Sequence, residues 1–421
     1  MKRTLFLLVI GWLTATGCGA RARSMALQTA DSTAVTFYLH FKADNAVRLD
    51  LLPLGERNFA ANSKLDSSAR EHQVTLKLPE TRDAFSAFIT AADGSVSSAR
   101  IPYGDYRLGQ EHSFKLEPSL PQIQAGKQAS LIQQRRLEVP SGQYSGITHV
   151  EDDYYAVVHD KKGSIFYFTL GFLGDGTIGP VQAFEASPAK AEVLDNEDIV
   201  YVPETKTLFV SAEGDQSIRE YDLSGKESGR KLKIPDDLSS CASNAGFEPL
   251  AYSGGTFWTT TEAPLPEEIL PRVHRIQSFI LQDLSPSARY LYQADDPAIP
   301  EADAARASAY VHGISAMTVL PDGRLLVLER EVYVPGGGFL EKLGAFSEMK
   351  LYSVSPADDP AGILQKTRIL RFRTSALNLA NYEGMCLGPV LEDGRQTILL
   401  LADSQDGSGG LTGEYLQVVA L

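Results

Sequence analysis

The feature that most constrains the fold of this chain is a repeated pair of strand patterns. Its clearest copy runs from Asn381 to Asp403, with Glu392-Asp393-Gly394-Arg395 between an apolar run and a β-rich run. Asp-Gly between two such runs predicts a β-hairpin. In an antiparallel hairpin the start of the first strand lies beside the end of the second, so we expect Glu383 and Asp403 to meet.

Four weaker copies precede this one, and each has a turn-forming cluster at its midpoint, as a hairpin with paired ends requires. The residues aligned with Glu383 are 52, 51, 67 and 68 positions apart. This first column consists of Ser145, Glu197, Glu248, Ser315 and Glu383. The second column, at the end of the second strand of each copy, consists of Asp160, Glu213, Glu262, Glu329 and Asp403.

Strand patterns for a third and a fourth strand follow most of these hairpins. The last copy lacks a fourth strand because the chain stops at Leu421, and the stretch Ile132–Val139 can supply it. Four-stranded units closed by a strand from the other end of the chain predict a β-propeller over residues 129–421, with each first strand lining the tunnel. Five repeats are visible, so the pattern predicts five or six blades. We interpret the long intervals after Glu262 and Glu329 as loops.

The preceding part of the chain predicts a small β-sandwich over residues 31–117. Val35, Phe37, Leu39 and Phe41 alternate with polar residues, which is the period of a half-buried strand, and similar short patterns follow. A proline-containing stretch at 118–128 reads as a linker to the propeller.

The first 18 residues have the layout of a secretory signal: Lys2-Arg3, a short apolar run and then small residues. Ala15-Thr16-Gly17-Cys18 resembles a lipobox, which predicts that Cys18 carries lipid and that residues 19–30 are a tether. The alternative is a plain secretory signal with an incidental cysteine. No later segment is long and apolar enough to span a bilayer. We therefore expect a protein of the bacterial cell envelope that contacts the membrane only through its N-terminal lipid.

The charge of the chain argues against one class of partner. A formal net charge of −14 and a pI near 5.0 disfavour nucleic-acid binding, which requires clustered basic residues. Besides Cys18 the chain contains Cys241 and Cys386. Their spacing fits no metal motif, and the sequence leaves open whether they form a disulfide or remain two buried thiols.

Eight carboxylates are predicted to converge at one end of the tunnel: Asp160, Glu197, Glu213, Glu248, Glu262, Glu329, Glu383 and Asp403. Such a group must take up protons, bind cations or splay into water. Divalent cations with oxygen ligands, Ca²⁺ first, are the usual partner, and Asn196, Asn244 and Asn381 could add neutral oxygens. The alternative is that the acids pair with amides and basic neighbours and serve the blade geometry alone.

The pattern Glu-Gly-Met followed by Ala-Asp-Ser-Gln-Asp-Gly, from Glu383 to Gly407, resembles the tunnel hairpins of β-propeller phytases. Glu197 to Asp215 shows a similar pattern, and residues 130–421 resemble the broader family called "esterase-like activity of phytase". This resemblance implies calcium binding by Glu197, Glu213, Glu383 and Asp403, and through the repeat by Glu248 and Glu262. We predict that Glu383 and Glu197 are catalytic residues.

The chain departs from the phytase pattern where phosphate would be bound. Ser145 and Ser315 replace the acid in two copies, and the basic residues cannot be matched one to one. Candidates for contacting a substrate phosphate are Lys161, Arg219, Arg275 and Arg330. A serine hydrolase is disfavoured because Gly313-Ile-Ser-Ala-Met317 lacks the second glycine of a nucleophile elbow and begins a strand.

Three functions follow from these observations. The first is a calcium-dependent phosphoesterase acting on a small phosphorylated ester. The second is a calcium lactonase or carboxylic esterase, and the third is a binding module without catalytic activity.

Overall fold

The structure is a computed structural model that describes residues 33–421 except for 54–60, 93–95, 119–127, 141, 161–162, 186–194, 239–245, 267, 269–271, 357–363 and 405–411. Several predictions fall outside the described residues: the signal and tether, most of the linker, Cys18, Lys161, Cys241 and Asn244. Cys386 is a buried free thiol.

The N-terminal part is a β-sandwich, as predicted. Its strands are β1 (Val35–Lys42), β2 (Ala46–Pro53), β3 (Ala61–Lys64), β4 (Glu71–Leu78), β5 (Thr81–Ala91), β6 (Val96–Tyr106) and β7 (Glu111–Lys115). One sheet has the order β4-β1-β7 and the other β3-β2-β5-β6. Inward residues of both sheets, such as Phe37, Leu49 and Phe85, form one buried core, which is the arrangement that alternating strands produce.

The remaining strands form five four-stranded sheets. Blade 1 comprises β9 (Tyr144–Glu151), β10 (Tyr154–His159), β11 (Ile165–Phe172) and β12 (Ile178–Glu185). Blade 2 comprises β13 (Asn196–Val202), β14 (Thr207–Ala212), β15 (Ser217–Tyr221) and β16 (Glu227–Lys231). Blade 3 comprises β17 (Phe247–Ser253), β18 (Thr256–Thr261), β19 (Val273–Ile280) and β20 (Pro286–Gln293). Blade 4 comprises β21 (Ala309–Val319), β22 (Leu325–Val334), β23 (Phe346–Val354) and β24 (Lys366–Ser375). Blade 5 comprises β25 (Asn381–Val390), β26 (Gln396–Asp403), β27 (Tyr415–Ala420) and β8 (Ser130–Arg136).

These sheets are the blades of a closed propeller. The inner strands β9, β13, β17, β21 and β25 each pack against the next, and β25 packs against β9. The ring therefore closes with five blades, which decides between the five and six that the repeats allowed. β8 pairs antiparallel with β27 and completes blade 5, so the predicted closure by a strand from the start of the domain is confirmed.

Burial falls from the axis outward, as radial sheets require. Every residue of β26 is buried, whereas every residue of β16 is exposed. All five predicted hairpin turns lie between the first and second strands of their blades. The fourth strand of blade 2, Glu227–Lys231, is fully exposed and has no apolar alternation, so a period-two pattern does not mark it in the sequence.

The intervals interpreted as loops contain more structure than predicted. The hairpin of blade 4 extends from Ala309 to Val334, and short helices α1 (Glu301–Ala304) and α2 (Phe339–Lys342) flank it. A 3-10 turn spans Asp236–Leu238. Among the described residues, no helix has the length and apolar character needed to cross a membrane.

Glycines allow the inner strands to approach closely around the axis. A Cβ atom added at Gly384 would lie 2.6 Å from the carbonyl oxygen of Ser145 and 2.9 Å from the amide nitrogen of Ile147. Both of these atoms belong to the backbone of β9, so the strand itself would have to move.

Gly384→Ala should therefore lower the free energy of unfolding by about 1–3 kcal/mol, the usual cost of overpacking. Denaturant unfolding of the variant measures this loss. Gly171→Ala is the matched control, because its added Cβ would lie 3.7 Å from the nearest atom, Cδ of Pro180. Equal effects of the two substitutions would show that the close approach is not rigid.

Candidate functional site

Each residue of the first column lies at a break in strand register. In blade 5, Tyr382 pairs with Ala402 and Gly384 with Leu401, so Glu383 is the extra residue of a β-bulge. Glu197 and Ser315 occupy the same position in blades 2 and 4. Similar shifts fall at Ser145-Gly146 and at Glu248-Pro249. Bulges redirect side chains and are frequent beside active sites. Of the first column, Glu197, Glu248 and Glu383 line the cavity described next.

A cavity of about 640 Å³ lies where the inner strands begin. Seven of the eight predicted acids line it: Asp160, Glu197, Glu213, Glu248, Glu262, Glu383 and Asp403. The remaining lining residues are Asp195, Ala263, Pro297, Ile299, Glu301, Ala304, Tyr310, Val311, His312 and Arg330. The predicted convergence of acids from successive blades is thus present.

Three of these carboxylates are close enough together to hold one cation. Ligand oxygens of Asp160, Asp195 and Glu197 all lie within 4.8 Å of one another. Asp195 was not among the predicted ligands, because it precedes β13 and lies outside the repeat columns. Its φ of 58° places it in the left-handed region, which Asp tolerates better than most residues.

The pKa of Glu197 is raised because the residue is buried and carboxylates converge around it. Burial raises the pKa of Glu197 well above its ordinary value, and the negative charges of Glu383, Asp160, Glu213 and Asp195 raise it further. A carboxylate in such surroundings is stabilised by either a proton or a bound cation. Glu197 is therefore at the centre of the acidic group.

Arg330 pairs with three of the other carboxylates in the cavity. Its Nη2 atom lies 3.1 Å from Glu248 Oε1 and 2.5 Å from Glu262 Oε1, and its Nη1 donates to Glu383. Nη1 also donates to Asn381 Oδ1 at 3.1 Å, and Asn381 Nδ2 donates to Glu383 Oε1 at 2.7 Å. Arg330 is only 4% exposed, and both of its Nη atoms pair with carboxylates, although its Nε has no partner among the described residues. This pairing differs from the contact with a substrate phosphate that the sequence predicted.

The structure does not bring Glu329 into the cavity. Side chains alternate along β22, so Glu329 and Arg330 point to opposite faces. Glu329 accepts hydrogen bonds from Tyr292 Oη and Lys366 Nζ, each at 2.6 Å. Its predicted role as a metal ligand fails on this geometry, because its carboxylate is tied up between blades 3 and 4.

Two other basic candidates lie on third strands, away from the cavity. Arg219 pairs with Asp215 and Glu227, and Arg275 pairs with Glu268 and Asp237. Lys161 lies outside the described residues. Within the part of the chain that the structure describes, the predicted phosphate-binding residues are therefore not brought together.

Among the described residues, Glu248 Oε2 and Asn196 Oδ1 are buried oxygens without a hydrogen-bond partner. Burial and the charges of Glu262, Glu383 and Glu197 raise the pKa of Glu248 well above its ordinary value, although Arg330 lowers it. Unpaired buried oxygens are costly. Like the oxygens of Asp160, Asp195 and Glu197, these two are oxygens of the type that Ca²⁺ coordinates.

His312 lines the cavity, whereas Ser315 does not. The two residues are three positions apart on β21, and side chains alternate between the faces of a strand, so they point in opposite directions. Burial lowers the pKa of His312, against the raising effect of Glu331 and Glu329. A neutral imidazole beside the acids can accept a proton, a possibility that the strand pattern alone did not indicate.

The fold and site define an all-β propeller with an acidic cavity at one end of its tunnel. The chain belongs to the phytase-like family described as "Esterase-like activity of phytase", whose model matches residues 139–405. No curated protein matches the chain significantly.

Several solved structures resemble the chain weakly. One is a streptogramin B lyase, which is 12% identical with a TM-score of 0.30, and the match covers 70% of this chain and 98% of the lyase chain. A member of the DUF4221 family from Bacteroides vulgatus is 8% identical with a TM-score of 0.35, covering 70% and 98%. A chain of a nidogen/laminin complex is 12% identical with a TM-score of 0.28, covering 68% and 89%. Likeness at this level assigns no function.

Proposed function

We propose that this protein is a metal-dependent ester hydrolase that uses Ca²⁺ in the acidic cavity, with phosphoric esters as its first substrate class. The observation that carries the proposal is the approach of Asp160, Asp195 and Glu197 oxygens within 4.8 Å of one another. The unpartnered Glu248 Oε2 supports it, because a buried carboxylate oxygen without a donor favours a cation nearby. Membership of the phytase-like family supports it as well.

The side chains have distinct roles in this proposal. Asp160, Asp195 and Glu197 would hold the cation, which when bound would polarise the ester and lower the pKa of an attacking water. His312 lines the same cavity, and because burial lowers its pKa, its neutral imidazole would be available to accept a proton from a water bound there. Arg330 keeps Glu248, Glu262 and Glu383 in place.

A specific observation favours cleavage of carboxylic esters or lactones as the second candidate function. The described lining residues include nine acids but only Arg330 and His312 as basic groups, and Arg330 is engaged. A phosphate would thus depend almost entirely on the cation for its charge compensation, whereas a neutral ester would not.

The full chain should release phosphate from 4-nitrophenyl phosphate in Ca²⁺, and a chelator should abolish this turnover. The assay is run in parallel on 4-nitrophenyl acetate and on a simple lactone. Chelator-sensitive cleavage of only the carboxylic substrates would replace the first candidate with the second. Absence of turnover on all three would refute hydrolysis and leave a binding module.

A further inference from the structure

The acidic cavity has one wall of a different character. Pro297, Ile299 and Ala304, from the segment between β20 and β21, line it beside Val311. These four side chains are apolar, although Glu301 of the same segment also lines the cavity, and the other described lining residues are mostly carboxylates. A cavity with polar groups on one side and apolar groups on the other orients an amphiphilic ligand.

A buried carboxylate anchors this wall. Glu331 is 2% exposed, and its two oxygens accept hydrogen bonds from the consecutive amides of Ala298 at 2.8 Å and Ile299 at 2.9 Å. Tyr310 Oη donates to Glu331 Oε1 at 3.1 Å. Hydrogen bonds to a charged acceptor are among the stronger ones in proteins, so Glu331 fixes the backbone that carries Ile299.

The segment is fixed at its start as well. The amide of Asp295 donates to Glu329 Oε2 at 3.0 Å. The Asp295 carboxylate binds Lys366 Nζ at 2.7 Å and accepts from Tyr352 Oη at 2.5 Å. Glu329 and Glu331 lie two residues apart on the same face of β22. Their carboxylates accept hydrogen bonds from backbone amides at the start and in the middle of the segment. This explains why Glu329 is absent from the acidic group.

We propose that the site takes esters that bear an apolar alkyl or aryl group and few negative charges, and that Glu331 is the positioning residue for the wall that contacts this group. The inference rests on the proposed function and deepens it. A polyphosphorylated polyol would place several further negative charges among nine acids, which like-charge repulsion opposes. An alkyl chain against Ile299 and Pro297 would instead be removed from water.

Binding of phosphonates tests the inference without turnover, because their P–C bond is not hydrolysed. In Ca²⁺, calorimetry on the full chain should show octylphosphonate binding at least tenfold more tightly than methylphosphonate, and inositol hexakisphosphate binding no better than methylphosphonate. Equal affinity for the two alkylphosphonates, or binding of neither, would overturn the inference. The proposed function would still be decided separately, by turnover of short esters.

Two variants test whether the preference for octylphosphonate arises from this wall. Glu331→Gln loses one of the two amide acceptors and should reduce the octyl preference to threefold or less while leaving methylphosphonate affinity unchanged. Ile299→Ser should reduce the octyl preference equally while leaving the Glu331 side chain in place. The inference can therefore be tested even if Glu331→Gln folds poorly. Ile280→Ser, at an outer position that is 43% exposed, is the control. An undiminished preference in both wall variants would overturn the assignment.

Discussion

Replacing Arg330 with methionine should lower the free energy of unfolding by about 3–5 kcal/mol in the absence of divalent cations, the usual loss when one partner of a buried ion pair is removed. Three carboxylates, those of Glu248, Glu262 and Glu383, contact its guanidinium. Methionine fills much of the same volume but carries no charge. The loss therefore arises mainly from buried negative charges left without a partner.

Calcium should restore much of this stability. If a cation replaces the guanidinium among the three carboxylates, binding to the folded state alone stabilises it by mass action, by about 2.7 kcal/mol at 100 times the dissociation constant. Urea unfolding of Arg330→Met in chelator and in Ca²⁺ should then show a larger calcium-dependent gain than the wild type shows.

Arg219→Met provides the matched control. Arg219 also pairs with two carboxylates, those of Asp215 and Glu227, but all three side chains are at least 21% exposed. Pairs of this kind contribute about 1 kcal/mol or less. Equal losses for the two variants, or an Arg330→Met protein that gains nothing extra from calcium, would contradict the view of Arg330 as a built-in cation.

The sequence predicted the fold through local signals that each strand pair carries by itself. Turn clusters such as Asp393-Gly394 mark hairpins regardless of what packs on them. The closing strand was predicted because the last repeat is one strand short. Five repeats could not distinguish five blades from six, since that depends on contact between β25 and β9, which are distant in sequence.

The site was predictable only in part, because strand register decides which face a residue occupies. The spacing of blade 4 suggested that Glu329 ends the second strand, but β22 continues to Val334 and Arg330 faces the cavity instead. A shift of one residue along a strand exchanges its faces. Asp195 was missed for a related reason, since it contributes through a loop and has no place in the strand pattern.

Glu197→Gln should reduce calcium-dependent ester turnover by at least about 100-fold, since even residues behind metal ligands cost 10–100-fold when changed. Glu197 is a better test than Glu383, the other residue predicted to be catalytic. Glu383 is held by Arg330 and Asn381, so its loss also disturbs the buried ion pairs. The amide of glutamine preserves the shape of Glu197, removes its charge and replaces one acceptor oxygen with an NH₂ donor.

The same variant should be more stable than the wild type in chelator at pH 7–8. The folded-state pKa of Glu197 is raised by burial and by neighbouring carboxylates. Its contribution to stability is therefore fully present below the unfolded pKa, about 4.3, and is lost as the pH rises through the folded value. Glutamine does not titrate, so the difference between the two proteins should grow from pH 5 to pH 8.

In saturating calcium the order should reverse, because the wild type then gains the free energy of cation binding and the variant loses a ligand. Thermal unfolding across this pH range, with and without calcium, measures both effects. Glu227→Gln, on the exposed strand β16, is the control and should leave thermal stability unchanged across this pH range, both with and without calcium. A variant that is less stable than the wild type in chelator at pH 8 would show that Glu197 is a structural group. If Glu197 is instead a cation ligand held in an unfavourable environment, the difference in stability between Glu197→Gln and the wild type should change sign when calcium is added.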